Sequence, residues 1–354
     1  MKRVNYTMPL YIDGHLDLAS NVTAAGRDLR LTVEALRLQE AKSRQELLVS
    51  LPELQQAGVG IVFATLFTMP RRAPGADSLP EAQSYHTPDE ASALASEQLD
   101  VYERWEEEGW VRILRFRADL ERHLDAWEKG DKTTALVILM EGADPILSPE
   151  ALSLWVARGL RLLGPAWQRT RYCGGTQAPG PLSDLGVELI HAMNHHKLAL
   201  DLSHMAEESF WQALELAPQY VFASHANARA LTPTDRHLSD AMIRAIGGRD
   251  GVVGLVLGNP FIKAGVTRDH PKESVTLEDV RAQAEHVAGL IGWDKVAIGS
   301  DFDGGFGVQE TPLEIRRGAD FAKLGSAAPE EARAGFLGEN WLRFLTRVLP
   351  PARD

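Results

Sequence analysis

The amino-acid sequence predicts an α/β protein, a (β/α)8 TIM barrel built as a single domain over residues 1–354. Three observations carry that expectation. Eight short apolar runs alternate with longer amphipathic ones, and repeated βα units of this kind build a parallel sheet covered by helices. The amphipathic runs open on capping residues. Acidic and histidine side chains stand at the ends of several apolar runs, which is where a barrel of this type gathers its chemistry.

The expected strands cover residues 10–17, 60–67, 135–141, 159–166, 198–204, 220–225, 252–257 and 296–301. A further apolar run at 111–116 stays outside that count. The second and third strands are far apart in sequence, so a helical and loop insertion is expected around residues 69–130. Thr87-Pro88-Asp89-Glu90 offers an N-cap, a proline at the first helical position and a glutamate to close a capping box, starting a helix to about 108. Ser148-Pro149-Glu150 repeats the pattern before 151–158, and Thr276-Leu277-Glu278-Asp279 opens a helix to about 291. Helical spacing of apolar residues also marks 183–196, 207–216 and a last helix over 330–348. Residues 69–84 and 170–182, rich in glycine and proline, read as loops.

Composition narrows the function classes. The chain is 44% hydrophobic and 24% charged, as expected of a globular protein. A net charge of −12 leaves no basic stripe to meet phosphates, so nucleic acid is not an expected partner. No run of about 18 apolar residues predicts a membrane span. Residues 1–6 lack the apolar core of a signal peptide, so cytoplasmic localisation is expected. The one cysteine, Cys173, excludes an intramolecular disulfide and a cysteine-based zinc site.

Within Asp13-Gly14-His15-Leu16-Asp17, His15 and Asp17 are two residues apart, and on a strand such residues share a face. They can direct a nitrogen and an oxygen at one divalent ion, at about 2.0–2.2 Å for zinc. Alone this pair is a weak signal. Glu141, His204, His225 and Asp301 then stand at the ends of later apolar runs. Each has a bland alternative: a lone strand-end histidine is usually structural, Glu141 can cap a turn, and Asp301 and Asp303 before Gly304 suit a turn. Together, three histidines and three carboxylates match a two-metal hydrolase, in which a shared carboxylate bridges ions roughly 3.5–4 Å apart and another carries a proton. His195 and His196 are expected to face solvent, and His86, His123, His270 and His286 to lie on the surface. Cys173 is a pocket candidate without a nucleophile pattern around it.

These motifs resemble the renal (membrane) dipeptidase family, peptidase family M19 of the amidohydrolase superfamily. The resemblance rests on Asp13-Gly14-His15-Leu16-Asp17, Glu141-Gly142, Asp201-Leu202-Ser203-His204, Ser224-His225-Ala226 and Gly299-Ser300-Asp301-Phe302-Asp303-Gly304. It extends to residues 186–204 and to Gly338-Glu339-Asn340-Trp341. It implies a barrel of the metal-dependent amidohydrolase type with two zinc ions, manganese or cobalt being alternatives. By resemblance His15 and Asp17 hold one ion, Glu141 bridges, His204 and His225 hold the other, and Asp301 is the acid/base residue. Arg236, eleven residues after His225, matches the arginine that binds the substrate's terminal carboxylate, a task suited to its bidentate donors.

The implied activity is a soluble zinc-dependent dipeptidase that cleaves small dipeptides, L-Xaa-D-Xaa among them, by a metal-bridged hydroxide. Relatives are often homodimers, which leaves a homodimer open for this chain. One position departs from the family: Gly164-Pro165-Ala166-Trp167-Gln168 puts Trp167 where relatives carry a histidine that polarises the scissile carbonyl. Losing such a donor costs on the order of 3–4 kcal/mol unless Arg169, Arg171 or Tyr172 substitutes. Trp167 and Tyr172 therefore join Arg236 as candidate substrate-binding residues. The departure keeps open a related binuclear amidohydrolase acting on another small amide, such as an N-acyl amino acid. A non-catalytic metal-binding barrel ranks last, because every candidate ligand is retained.

Overall fold

The computed structural model describes residues 9–40, 45–71, 84–216 and 218–351. Strands Tyr11–Leu16, Val59–Phe67, Thr134–Glu141, Leu160–Gly164, Ala199–Asp201 and Val221–Phe222 lie side by side in chain order, all parallel. Val253–Leu255 and Val296–Ile298 pair with each other and meet the first sheet through a single bridge, Ala223 to Val253. No ladder joins Val296–Ile298 back to Tyr11–Leu16. Instead, the backbone N–H of Asp301 donates to the carbonyl of His15 at 3.1 Å, and the Asp13 carboxylate accepts from the backbone N–H and hydroxyl of Ser300. The parallel sheet is thus strongly curled, while its hydrogen bonds do not draw the closed eight-stranded ladder expected from sequence.

The reason lies at the carboxyl ends. Several expected strands are cut to two or three residues because the chain turns outward where its polar residues begin. His204 and Asp301 adopt left-handed backbone conformations, with φ of 63° and 58°. Such conformations cost a non-glycine residue energy and end a strand. The run at 111–116 is a real strand, Val111–Ile113, paired in register with Thr134–Leu136 beside the main path.

Both faces of the long strands are buried: all eight residues of Thr134–Glu141 and eight of the nine in Val59–Phe67. That is the pattern of a parallel sheet covered on each side. One core lies between strands and helices. The other lies inside the curl, where Ile12, Phe63, Leu139, Leu162 and Phe222 meet Trp341, Phe344 and Leu345 of the C-terminal helix Asn340–Val348. Trp341 is fully buried, packs against Phe63 and Phe222, and donates its indole N–H to the carbonyl of Ile298 at 2.8 Å.

Several helices start where their caps stand. Pro88–Glu107 has the complete Thr87–Glu90 capping box, Asp184–His196 is capped by Ser183, and Asp279 accepts from the backbone N–H of Thr276 ahead of Leu277–Ile291. The last helix is not continuous over 330–348. It is broken before Asn340, where Gly338 lies so close to the first strand that a Cβ would come within 2.6 Å of the Leu10 carbonyl oxygen. The expected loop at 170–182 is a hairpin, Cys173–Gly175 with Ala178–Leu182. Of the loop at 69–84, residues 72–83 lie outside the described residues, and Met69–Pro70 pairs with Ser84–Tyr85. His123 is buried against Trp127 rather than on the surface. Among the described residues no helix is long and apolar enough to cross a membrane.

Replacing Trp341 by alanine is expected to destabilise the protein by about 3–5 kcal/mol. The measurement is the shift in urea midpoint at unchanged slope.

Candidate metal centre

The carboxyl ends of the strands open on one cavity of about 1010 Å³. His15 is the penultimate position of the buried first strand, and Asp17 follows that strand's end. Glu141 is the last residue of Thr134–Glu141, His225 lies just past Val221–Phe222, and His204 and Asp301 sit in the left-handed turns after their strands. Asp17, Glu141, His204, His225 and Asp301 line the cavity, and His15 lies beneath it.

The two oxygens of Glu141 face different partners. Oε2 lies 3.4 Å from Nε2 of His15, which is itself 3.8 Å from Asp17 Oδ1 and 4.0 Å from Asp301 Oδ1. Oε1 lies 3.1 Å from Nε2 of His204 and 3.5 Å from Nε2 of His225. The His204 and His225 Nε2 atoms approach to 3.0 Å, and the rings of His15 and His225 stack at 3.6 Å. Two donor sets result, His15–Asp17–Glu141 and Glu141–His204–His225, each with its ligand atoms within 4.8 Å of one another; His15, Asp201 and His225 form a third such group. His15 Nε2 and Glu141 Oε1 are buried and make no hydrogen bond. Nitrogen and carboxylate donors converging with their lone pairs unsatisfied fit a divalent transition-metal ion.

Burial and mutual charge shape the protonation of these groups. Burial opposes charge on Glu141, but His15 and His204 outweigh it and hold the carboxyl below its ordinary range. Burial likewise opposes charge on His15, yet Glu141, Asp17 and Asp301 raise its imidazole to about 10. Burial, with Arg236 nearby, lowers His204 to about 4. Asp301 is pushed well above its ordinary value by burial, with Asp17 and Glu141 adding to the rise.

The Nδ1 side of each of the three histidines is also held, and one oxygen of Asp17 accepts a hydrogen bond. Thr65 donates to Asp17 Oδ1, Thr176 Oγ1 lies 3.0 Å from His204 Nδ1, and Ser224 Oγ lies 3.2 Å from His15 Nδ1 and 2.7 Å from His225 Nδ1. Residues of this kind orient metal-binding rings.

Residues 1–351 match the membrane dipeptidase family, peptidase family M19. The chain belongs to that family. A protein encoded in the pqqA 5′ region of Klebsiella pneumoniae is 33% identical over 255 residues, covering 68% of this chain and 90% of its relative. A dipeptidase of Schizosaccharomyces pombe is 32% identical over 123 residues, 35% of this chain and 28% of that protein. Among solved structures, the M19 metallo peptidase called dipeptidase AC superposes with a TM-score of 0.77 at 25% identity, covering 96% of this chain and 99% of that one. A metallo peptidase of Rhodobacter sphaeroides, solved with a phosphinate mimic of the dipeptide L-Ala-D-Ala, gives 0.76 at 24%, again with 96% and 99% covered. The protein is a metal-dependent dipeptidase, a hydrolase.

In this dipeptidase Arg236 is buried and lines the cavity. It donates through Nη2 to the carbonyl of His225 at 2.7 Å and lies over the ring of Phe261, while its Nε and Nη1 have no hydrogen-bond partner. Trp167 lines the cavity too, its ring 5.2 Å from Phe67 and 6.2 Å from His204. Tyr172 does not reach the cavity. It is fully buried and donates its hydroxyl to the carbonyl of Ile146, because the chain after Trp167 folds inward under the hairpin. Arg169 and Arg171 also lie outside the cavity lining, held to the carbonyls of Pro179 and Ile146. What this segment brings to the cavity is Trp167, Gln168, Thr176 and Gln177. Thr176 carries no motif in sequence, since its approach to His204 depends on the hairpin.

Cys173 is not a pocket residue either: it is buried against Thr170, and burial pushes its thiol up to about 12. Only a thiolate is an effective nucleophile. The native protein is therefore expected to leave a thiol reagent unreacted at neutral pH and to react with one equivalent after denaturation, followed by absorbance.

Proposed function

We propose that the enzyme is a zinc-dependent dipeptidase, built on one eight-stranded barrel domain, that hydrolyses the amide bond of small dipeptides including L-Xaa-D-Xaa. The single observation that carries the reading is Glu141, whose two oxygens face separate donor groups at 3.4 Å and 3.1 Å. His15, Asp17 and Glu141 would hold one ion, and Glu141, His204 and His225 the other. Divalent ions held by these residues would supply Lewis acidity for an amide carbonyl and would bring the ionisation of water toward neutral pH.

The remaining work falls to this chain's own side chains. Arg236 offers two donors without a protein acceptor, enough for a bidentate grip on a terminal carboxylate. That grip orients the scissile amide over Glu141 and Asp301. Asp301, which lines the cavity 4.0 Å from His15 Nε2, accepts a proton from the attacking water at its carboxylate oxygen and returns it to the departing amine. The bond broken is the amide C–N and the bond formed is C–O, with the amine leaving protonated. The phosphinate of an L-Ala-D-Ala mimic bound by the Rhodobacter sphaeroides enzyme makes L-Ala-D-Ala a natural first substrate to test.

Trp167 favours a second reading. Its indole beside Phe67 presents an apolar wall to the cavity, which suits the acyl group of an N-acyl amino acid. A panel of L-Xaa-L-Xaa and L-Xaa-D-Xaa dipeptides and N-acyl amino acids, assayed with zinc-loaded and chelator-stripped enzyme, separates the two. Zinc-dependent release of free amino acids from dipeptides supports the first reading; cleavage of N-acyl substrates alone replaces it with the second.

Asp301→Asn is expected to keep its zinc content by elemental analysis and to lose at least about 100-fold in kcat; retained turnover overturns the proton-carrying role. Arg236→Met is expected to raise KM by at least 10-fold, roughly the 1.5–3 kcal/mol of a charged hydrogen bond, with the loss vanishing for substrates whose carboxylate is amidated.

A further inference from the structure

The strand-end motifs contain serines that the proposed reaction does not use: Ser203, Ser224 and Ser300 each directly precede a site residue. Ser224 differs from the other two in its reach. Its hydroxyl lies 3.2 Å from Nδ1 of His15, 2.7 Å from Nδ1 of His225 and 3.3 Å from the hydroxyl of Ser203, and its peptide is held by the buried carboxylate of Asp201. Asp201 is fixed in turn by the backbone N–H groups of Ser203, at 3.0 Å, and Ser224, at 2.9 Å.

We propose that Ser224 is a positioning residue that sets the tautomer and orientation of His15 and His225 together. A serine hydroxyl has one proton and two acceptor lone pairs. The Ser203 hydroxyl, 3.3 Å away, can accept the Ser224 proton. The two lone pairs left over match the two Nδ1–H groups. Each ring then keeps its proton on Nδ1 and turns a bare Nε2 toward Glu141, which is the tautomer a metal ligand requires. One hydroxyl thereby serves both halves of the centre, whereas Thr176, 3.0 Å from His204 Nδ1, serves one.

The backbone around Ser224 is built for this placement. A Cβ on Gly254 or Gly299 would come within 2.0 Å or 1.8 Å of the Ser224 carbonyl oxygen, and one on Gly14 within 3.0 Å. Interiors of such sheets are ordinarily filled by branched side chains. Here Gly14 and Gly254 within strands, and Gly299 just past one, leave out side chains where the Ser224 peptide and the Trp341 indole sit.

The inference rests on the ligand set proposed above, and its test separates the two. Full-length zinc-loaded protein is dialysed against graded chelator, and zinc per chain is measured for wild type, Ser224→Ala and Thr176→Val, with folding checked by circular dichroism. Wild type is expected to retain two ions. Ser224→Ala should release both at about 10–100-fold weaker chelation, the usual effect of removing such a partner, while Thr176→Val should release one. Ser224→Ala that retains zinc like wild type, or that loses one ion, overturns the shared role. A wild type that binds fewer than two ions refutes the ligand set itself and this inference with it. If Ser224→Ala fails to fold, the wild type decides: in zinc-loaded protein labelled with ¹⁵N-histidine, His15 and His225 should both carry their proton on Nδ1, and a proton on Nε2 of either ring overturns the proposal.

Discussion

A buried carboxylate at the centre of the cavity floor organises this molecule. Glu141 ends a strand whose residues are all buried, and an ionised carboxylate in such a place costs several kcal/mol unless it is compensated. The compensation comes from four other parts of the chain. His15, His204 and His225 bring ring nitrogens to its two oxygens, and Arg236 adds positive charge nearby. The three histidines arrive from different strand ends and Arg236 from the segment after His225, so the centre exists only when the sheet has curled.

The curl depends on polar ties as well as apolar packing. Trp341 and its neighbours fill the inside, but a ladder does not run between the last strand and the first. Asp13 spans that gap by accepting from the backbone and hydroxyl of Ser300, and Asp201 performs a similar task between Ser203 and Ser224. Both are buried carboxylates that accept several hydrogen bonds, which is what makes their burial tolerable. Strand closure and side-chain placement at the centre are therefore one problem: the serines that bond these two aspartates stand next to His204, His225 and Asp301.

The cavity has an electrostatic side and an apolar side. Arg236 stands on the ring of Phe261 with two donors free, and Trp167 packs on Phe67 near His204. A small substrate with one carboxylate and one apolar group suits such a site. Arg236 supplies the first feature, and Trp167 the second.

Much of the centre was legible in the sequence because it follows from local rules. Alternation on a strand places His15 and Asp17 together, and apolar runs that stop at Glu141, His204, His225 and Asp301 mark the carboxyl ends of a parallel sheet. Helix starts at Thr87 and Ser183 are equally local, set by a cap and its N–H partners. Tertiary structure alone decided what depends on distant neighbours. Tyr172 turns into the core because Ile146 offers its hydroxyl an acceptor there, and Thr176 meets His204 because a hairpin folds over the turn. Val111–Ile113 becomes a strand because the amino half of Thr134–Glu141 has an open edge. Ser224 looks like an ordinary residue before a histidine until three glycines on or just past other strands let its peptide into the interior. Local chemistry named the ligand candidates; only packing at long range could say which atoms hold them in place.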